Sequence, residues 1–152
     1  MAHNIQIQRV AQIKVRHIEN YIHEIEILNN VEIDFHVEGN HESLSISCKK
    51  ALYRIICEGI GNAVRHGQAK YIKISLIVDS SIITLEIVDK GKGFELTALE
   101  KQKKVGIGIK NIYQLTHSLN GVVNFQSTIG AGTRIDITIP NGIHMLCEEE
   151  VI

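Results

Sequence analysis

The sequence predicts an α+β fold, a two-layer sandwich in which a mixed, mostly antiparallel sheet carries its helices on one face. Two periodicities indicate this fold. Five short segments alternate apolar and polar residues, as half-buried strands do, and three longer segments repeat apolar residues at three- and four-residue steps, as amphipathic helices do. Their order is α, β, α, β, β, α, β, β, with a glycine- and lysine-rich loop before the third helix, and this order favours one sheet covered on one face.

The chain is predicted to begin with a helix over residues 5–28. Its apolar pattern loses phase early, so we expect a loose entry segment and a firmer helix from about Ile18, which Asn29 and Asn30 end. The alternation over residues 31–37 predicts a half-buried strand.

The second helix is predicted over residues 45–66, with an apolar stripe from Cys48 to Val64, and Gly67 fits its C-terminal cap. Alternation and turn residues predict the remaining elements. These are strands over 71–78 and 82–88, a loop over 89–107, a helix over 108–119, and strands over 122–127 and 133–139.

Composition limits the class of protein. The chain has 152 residues, enough for one domain with one core, and its net charge of −1 provides no bulk attraction for nucleic acid or an anionic membrane. No apolar run approaches the roughly 18 residues that a membrane span needs. Cys48, Cys57 and Cys147 have no metal-type spacing, and we interpret them as small apolar residues in a reducing cytosol.

Three polar residues share one stripe of the second predicted helix. At about 100° per residue, Glu58, Asn62 and Arg65 lie within roughly 60° of one another, beside the apolar stripe. They form either a functional cluster or a solvated face with a helix-stabilising pair. Gly59 and Gly61 each weaken a helix by about 1 kcal/mol relative to alanine, which suggests that the backbone here lies close to another group, such as a ligand.

Glycines mark three further positions. Asp89 ends an apolar strand and precedes Gly91 and Gly93, so it either accepts hydrogen bonds from an exocyclic amine or forms an Asp-x-Gly turn. Gly106 and Gly108 open a helix whose first N–H groups can hold phosphate, although neither a P-loop nor a dinucleotide-binding fingerprint is present.

The last glycine motif begins the final strand. Gly130-Ala131-Gly132-Thr133 is compatible with an ordinary hairpin turn or with part of a binding site. Each of these motifs is weak alone, and ordinary loop glycines explain any single one.

Taken together and in this order, the four motifs resemble the nucleotide site of sensor histidine kinases. More broadly they resemble the ATPase fold that these kinases share with gyrase, mismatch-repair ATPases and heat-shock chaperones. The subgroup that pairs with LuxR-type response regulators is the most similar, over residues 18–140.

The resemblance implies roles for individual residues. Asn62 would coordinate a Mg²⁺ that bridges the ATP phosphates, Glu58 would be the general base, and Arg65 would contact phosphate. Asp89 would accept from the adenine amino group, and Thr133 would meet adenine, often through water. The remaining implied nucleotide-binding positions are His66, Gly91, Gly93, Gly106, Gly108, Ile109 and Asn111.

The sequence departs from the family's pattern in two places. Gly59 and Gly61 stand where helix-forming residues are usual, and Lys90 stands where an asparagine is usual. We expect the Lys90 side chain to point outward, away from the site.

The resemblance also implies a domain organisation. Residues 1–30 would be a linker and helix that join the chain to an upstream domain, 31–141 the ATP-binding catalytic domain, and 142–152 a C-terminal tail. His23 and His41 each precede a glutamate, as a phosphoacceptor does, but the two long helices of a phosphotransfer domain are absent, so we interpret both as surface histidines.

The implied function is that of a histidine protein kinase catalytic domain, which binds Mg²⁺-ATP and phosphorylates a histidine on a separate dimerisation domain. Phosphate would then pass to a LuxR-type response regulator. Two alternatives are a freestanding serine kinase similar to anti-sigma factors and a non-catalytic nucleotide-gated module. The resemblance implies a cytoplasmic location, alone or as the cytoplasmic part of a membrane-bound sensor, in a homodimeric full-length protein, without nucleic-acid or membrane contact by this domain.

Overall fold

The computed structural model describes residues 15–95 and 106–141. Three helices and five strands follow in the predicted order, and a single 3₁₀ turn, His41–Ser43, precedes the second helix. The elements are α1 Val15–Asn29, β1 Glu32–Gly39, α2 Ile46–Arg65, β2 Tyr71–Val78, β3 Ile82–Asp89, α3 Ile107–Ser118, β4 Val122–Thr128 and β5 Gly132–Pro140.

The five strands form one mixed sheet in the order β1-β2-β3-β5-β4. Only β1 and β2 run parallel, with α2 between them in the chain, and the other neighbouring pairs are antiparallel. The predicted α+β fold and its mostly antiparallel sheet are therefore confirmed. The first fourteen residues of the chain and part of the predicted loop, residues 96–105, lie outside the described residues, as does the tail from 142 onward.

One face of the sheet is buried under the helices. Alternate residues of the central strands are almost fully buried, as the burial along β2 and β3 shows, and they join the buried faces of all three helices in one core. On the opposite, solvent-facing side, Arg134 forms ion pairs with Glu86 at 2.6 Å and with Asp136 at 2.9 Å. This arrangement is the predicted two-layer sandwich.

The first helix belongs to the same core. Ile18 and Ile22 of α1 are buried in it, and the ring of Tyr21 meets the ring of Tyr53 on α2 edge-on, with centroids 6.1 Å apart. The predicted firm helix from about Ile18 and its end at Asn29 are confirmed.

The helix α2 is held against the sheet by a close approach at Gly59. Ser45 caps its N-terminus by accepting from the N–H of Cys48. A Cβ on Gly59 would lie 2.6 Å from Cδ1 of Ile87, a buried residue of β3. A side chain at position 59 would therefore have to displace a buried residue of the sheet. At Gly61 an added Cβ would meet only the guanidinium end of Arg65, at 2.5 Å.

Gly67 lies at the C-terminal end of α2, as predicted. The helix ends at Arg65 with His66 as its C-cap, and the N–H of Gly67 bonds to the carbonyl of Asn62 at 3.0 Å. The residue with a positive φ at this end is Gln68, at 49°. A Cβ at Gly67 would lie 2.8 Å from the carbonyl oxygen of Ala63, so close approach, not a positive φ, makes glycine the suitable residue there.

Two of the three cysteines belong to the described residues. Cys48 is buried and Cys57 is half-buried, whereas Cys147 lies outside the described residues. Among the helices of the described ranges, none is both long enough and apolar enough to cross a membrane.

A side chain should be far less well tolerated at Gly59 than at Gly61. We expect Gly59→Val to lower the free energy of unfolding by about 1–3 kcal/mol, because it overpacks against Ile87. The same change at Gly61 should alter it by less than about 0.5 kcal/mol, because the Arg65 side chain can move and the helix loses a glycine. Urea unfolding of both variants measures the difference, and equal destabilisation would contradict the packing role of Gly59.

Candidate functional site

A cavity of about 390 Å³ lies where the second half of α2 meets the end of β3 and the start of α3. Nine of the twelve residues that the sequence predicts for the site line it, and the other three, Glu58, Gly91 and Asn111, lie beside it. The predicted residues in the lining are Asn62, Arg65, His66, Asp89, Gly93, Gly106, Gly108, Ile109 and Thr133. Gly59, Gly67, Phe94, Phe125 and Ile135 complete the lining.

One end of the cavity holds a buried carboxylate. Asp89 ends β3 with only 7% of its surface exposed, and its Oδ1 accepts from the N–H of Gly91 at 2.8 Å. Burial raises the pKa of Asp89, while hydrogen bonds from the backbone N–H groups of Gly91 and Thr133 lower it. Asp89 therefore forms the Asp-x-Gly turn and also lines the cavity, and its hydrogen bond to an exocyclic amine stays a prediction.

The segment that leaves β3 forms one wall by lying against two other parts of the backbone. The N–H of Lys92 donates to the carbonyl of Gly67 at 2.8 Å, and the carbonyl of Lys92 accepts from the N–H of Gly130 at 2.6 Å. Gly93 has a φ of 66°, and a Cβ there would overlap the carbonyl of Thr128. The glycines of the predicted motifs thus allow this segment to bridge the end of α2 and the β4–β5 hairpin.

A hydroxyl pair stands next to Asp89. Thr133 of β5 faces Asp89 across the sheet, and its Oγ1 lies 2.8 Å from Oγ of Ser127 on β4. Ser127 Oγ also accepts from the N–H of Phe94 at 2.8 Å and donates to the carbonyl of Gly132 at 3.3 Å. The sequence analysis missed Ser127. Its position two residues after Phe125 on an alternating strand places it on the buried side, and that was the available signal.

The other end of the cavity combines α2 with the first turn of α3. Nδ2 of Asn111 donates to Oε1 of Glu58 at 3.2 Å, so Asn111 contacts the predicted base and does not line the cavity. A Cβ on Gly108 would lie 2.7 Å from Oε2 of Glu58 and 3.1 Å from Oδ1 of Asn62. The absence of a side chain at Gly108 therefore lets two oxygen acceptors approach the start of α3.

The amide of Asn62 is oriented into this end of the site. Its Nδ2 is buried and has no hydrogen-bond partner among the residues that the structure describes. Within the same ranges, no three His, Cys, Asp or Glu side chains form a cluster that could hold a metal ion. Mg²⁺ commonly takes one or two protein oxygens together with phosphate and water, so the amide oxygen of Asn62, 3.1 Å from the Cβ position of Gly108, has the chemistry that such an ion needs.

The helix α3 begins at the cavity. Its N-cap, Gly106, is in an extended conformation and makes no side-chain capping hydrogen bond, and Gly106, Gly108 and Ile109 all line the cavity. The positive end of the helix dipole and its first N–H groups therefore face this space, which suits an anion. Lys90, by contrast, points outward as predicted, with Nζ 5.5 Å from the ring centre of Tyr71.

The fold and site define the class of protein, and comparison with known families agrees. The family model of histidine kinase-, DNA gyrase B- and HSP90-like ATPases matches residues 48–143, and the chain belongs to this family. Within the family, the chain is the ATPase domain of a histidine kinase. A second model, for the N-terminal region of phage integrases, matches residues 1–33, but Ile18 and Ile22 of that stretch pack into the core of the ATPase fold.

Relatives support the assignment. The histidine kinase/phosphatase DegS of Bacillus subtilis is 29% identical over 126 residues, which cover 81% of this chain and 33% of DegS. The sensor histidine kinase YdfH of the same organism is 36% identical over 101 residues, covering 66% of this chain and 25% of YdfH. The chain thus spans a third or less of the length of these two relatives.

A solved structure shows the same fold. The histidine kinase domain of the Erythrobacter litoralis EL346 blue-light activated histidine kinase aligns with a TM-score of 0.64 at 18% identity. The alignment covers 82% of this chain and 59% of that one.

The buried carboxylate should reduce the stability of the empty fold. Because burial raises the pKa of Asp89 above its ordinary value of 3.8, ionisation opposes folding as the pH rises through the interval between the unfolded and folded pKa values. We therefore expect Asp89→Asn to increase the free energy of unfolding at pH 7, and the increase to shrink as the pH falls towards 4. Urea unfolding across this pH range measures it. The exposed turn variant Asp79→Asn is the control, and a pH-independent difference at Asp89 would contradict the expectation.

Proposed function

We propose that this domain binds Mg²⁺-ATP in the 390 Å³ cavity and delivers the γ-phosphate to a histidine on a separate dimerisation and phosphotransfer domain. Phosphate then passes to an aspartate of a LuxR-type response regulator. The observation that carries the proposal is the division of one cavity into two ends. Asp89 and Thr133 form a hydrogen-bonding end, and Asn62, Glu58 and the start of α3 form an anion- and cation-binding end.

The first end suits the adenine base. The carboxylate of Asp89 accepts a hydrogen bond from the exocyclic amino group, and Thr133 supplies a second polar contact, directly or through water. Ile109, Phe94 and Ile135 provide apolar surface for the faces of the base. Leaving the buried Asp89 unpaired against a keto group would disfavour guanine by about 1–3 kcal/mol.

The second end suits the phosphates. The N–H groups of the first turn of α3 face the phosphate chain, and the guanidinium of Arg65 and the ring of His66 add donors at the cavity wall. Asn62 holds Mg²⁺ through Oδ1. The metal neutralises phosphate charge when bound. Gly91, Gly93, Gly106 and Gly108 let the backbone approach the nucleotide closely.

The chemistry is an in-line phosphoryl transfer. A ring nitrogen of the acceptor histidine attacks the γ-phosphorus, the bond from that phosphorus to the β–γ bridging oxygen breaks, and ADP leaves. Glu58 accepts the proton that the histidine loses. Positioning and charge neutralisation by Asn62, Arg65 and α3 provide most of the rate, since a largely dissociative phosphoryl transfer asks little covalent chemistry of the protein.

The wider context of the domain follows from the same proposal. Residues 1–30 join the domain to an upstream phosphotransfer domain, residues 31–141 form the catalytic unit, and residues 142–152 are a tail. The relatives named above are histidine kinases, which favours this activity over the serine-kinase alternative. Because such a site uses cellular ATP, we propose that the domain lies in the cytoplasm, free or attached to a membrane-bound sensor, and that the full-length protein is a homodimer.

The direct test is calorimetric titration of the chain with ATP, with and without Mg²⁺, and with GTP as the competitor. Saturable binding that Mg²⁺ strengthens and that excludes GTP supports the proposal. Absence of binding at millimolar ATP would overturn it.

We expect Asn62→Ala to remove the Mg²⁺-dependent part of ATP affinity, because the variant loses the amide oxygen that holds the metal. The change should weaken Mg²⁺-ATP binding by roughly tenfold or more and leave metal-free binding less affected. Asn124→Ala, at an exposed position of β4, is the matched control. Equal Mg²⁺ enhancement in wild type and Asn62→Ala would refute the metal assignment.

We expect Glu58→Gln to keep ATP binding within about threefold and to slow transfer to a supplied phosphoacceptor domain by roughly 10²-fold or more, because the variant cannot take up a proton. Glutamine retains the acceptor for Asn111, so the fold is preserved. Single-turnover phosphorylation with labelled ATP measures the effect. Transfer at the wild-type rate would remove Glu58 from the mechanism.

A further inference from the structure

The hydroxyl of Ser127 has three neighbours and one proton. It lies 2.8 Å from the N–H of Phe94, 3.3 Å from the carbonyl of Gly132 and 2.8 Å from the hydroxyl of Thr133. Ser127 is half-buried and does not line the cavity, whereas Thr133 does. Any influence of Ser127 on a ligand therefore passes through its neighbours.

The direction of each hydrogen bond follows from which groups can donate. A backbone N–H can only donate, so Phe94 occupies one lone pair of Ser127. A carbonyl oxygen can only accept, so the bond to Gly132 uses the single proton of Ser127. Both bonds form at once only if the Ser127 proton goes to Gly132 and the hydroxyl of Thr133 is the donor in the bond between the two side chains.

The hydroxyl oxygen of Thr133 therefore presents lone pairs, and not its proton, to the cavity. Its neighbour across the sheet, Asp89, presents a carboxylate, which also only accepts. The polar end of the cavity consequently presents two acceptors side by side, and this end suits a ligand edge that donates.

We propose that Ser127 is a specificity-determining positioning residue, because it orients the Thr133 hydroxyl as an acceptor. The cavity then selects nucleotides with an amino group over those with a keto group at the same position. The inference rests on the proposed nucleotide site. A 6-amino purine donates into this end, directly or through one ordered water, whereas a 6-keto purine presents an acceptor there.

Without the Ser127 hydroxyl, nothing fixes the direction in which the Thr133 hydroxyl donates its proton. The Thr133 proton loses its acceptor and can turn towards the cavity, where it can donate to a keto oxygen. The bond to the Phe94 N–H is lost in the same variant, but that loss affects the wall of the cavity for every nucleotide alike. Selectivity, expressed as a ratio of affinities, therefore separates the polarity of Thr133 from general loosening of the site.

The test compares ATP with inosine triphosphate, which differs from ATP only in the purine's polar edge. Selectivity is the dissociation constant of inosine triphosphate divided by that of ATP. We expect this ratio to fall by roughly five- to tenfold in Ser127→Ala, the change expected from one hydrogen bond. Ser127→Thr keeps the hydroxyl and should keep the wild-type ratio. Ser118→Ala, at an exposed serine of α3, is the matched control and should leave both affinities unchanged.

Thr133→Val provides a second variant that tests the same hydrogen-bond arrangement. Valine keeps the shape and removes the oriented acceptor, so the ratio should fall here also, and adding Ser127→Ala to Thr133→Val should change it no further. Equal weakening of both nucleotides in Ser127→Ala, with the ratio unchanged, would overturn the inference and leave the nucleotide site standing. A wild-type chain that binds neither nucleotide would overturn the proposed function and the inference with it.

Discussion

The site depends on one constraint: the backbone that leaves β3 must lie at contact distance from two other stretches of backbone. The segment after Asp89 is hydrogen-bonded to Gly67 at the end of α2 on one side and to Gly130 in the β4–β5 hairpin on the other. Contacts this close leave no room for a Cβ at Gly91 or Gly93. Because these bonds fix the segment, Asp89 and Phe94 keep defined positions at the polar end and wall of the cavity.

The same closeness explains why the two halves of the site come together. The helix α2 lies near enough to the sheet for Gly59 to touch Ile87, and α3 lies near enough to α2 for Gly108 to stand over Glu58. Both contacts depend on a glycine within a helix, which lowers the intrinsic stability of that helix. Residues that disfavour local stability thus lie at the ligand-binding end of the fold, and natural proteins usually carry such residues at functional sites.

The sequence predicted the fold and most of the residues that line the cavity. Alternation located all five strands to within two residues at each end, and the spacing of Glu58, Asn62 and Arg65 placed them on one side of α2. Gly67 was predicted at the end of α2, but its close approach to Ala63 was not, because a cap signal in the sequence does not show which backbone lies nearby. The partner of Asn111 and the connections of Ser127 were not predictable, because they join residues far apart in the chain, 53 positions in one case and 33 in the other.

The anchoring of Phe94 has a consequence for how the cavity wall opens. The hydroxyl of Ser127 holds the Phe94 N–H, and Lys92 is held from both sides by Gly67 and Gly130. The segment after β3 can therefore leave its place only when these hydrogen bonds break together. Hydrogen exchange at these backbone amides reports that local opening of the wall.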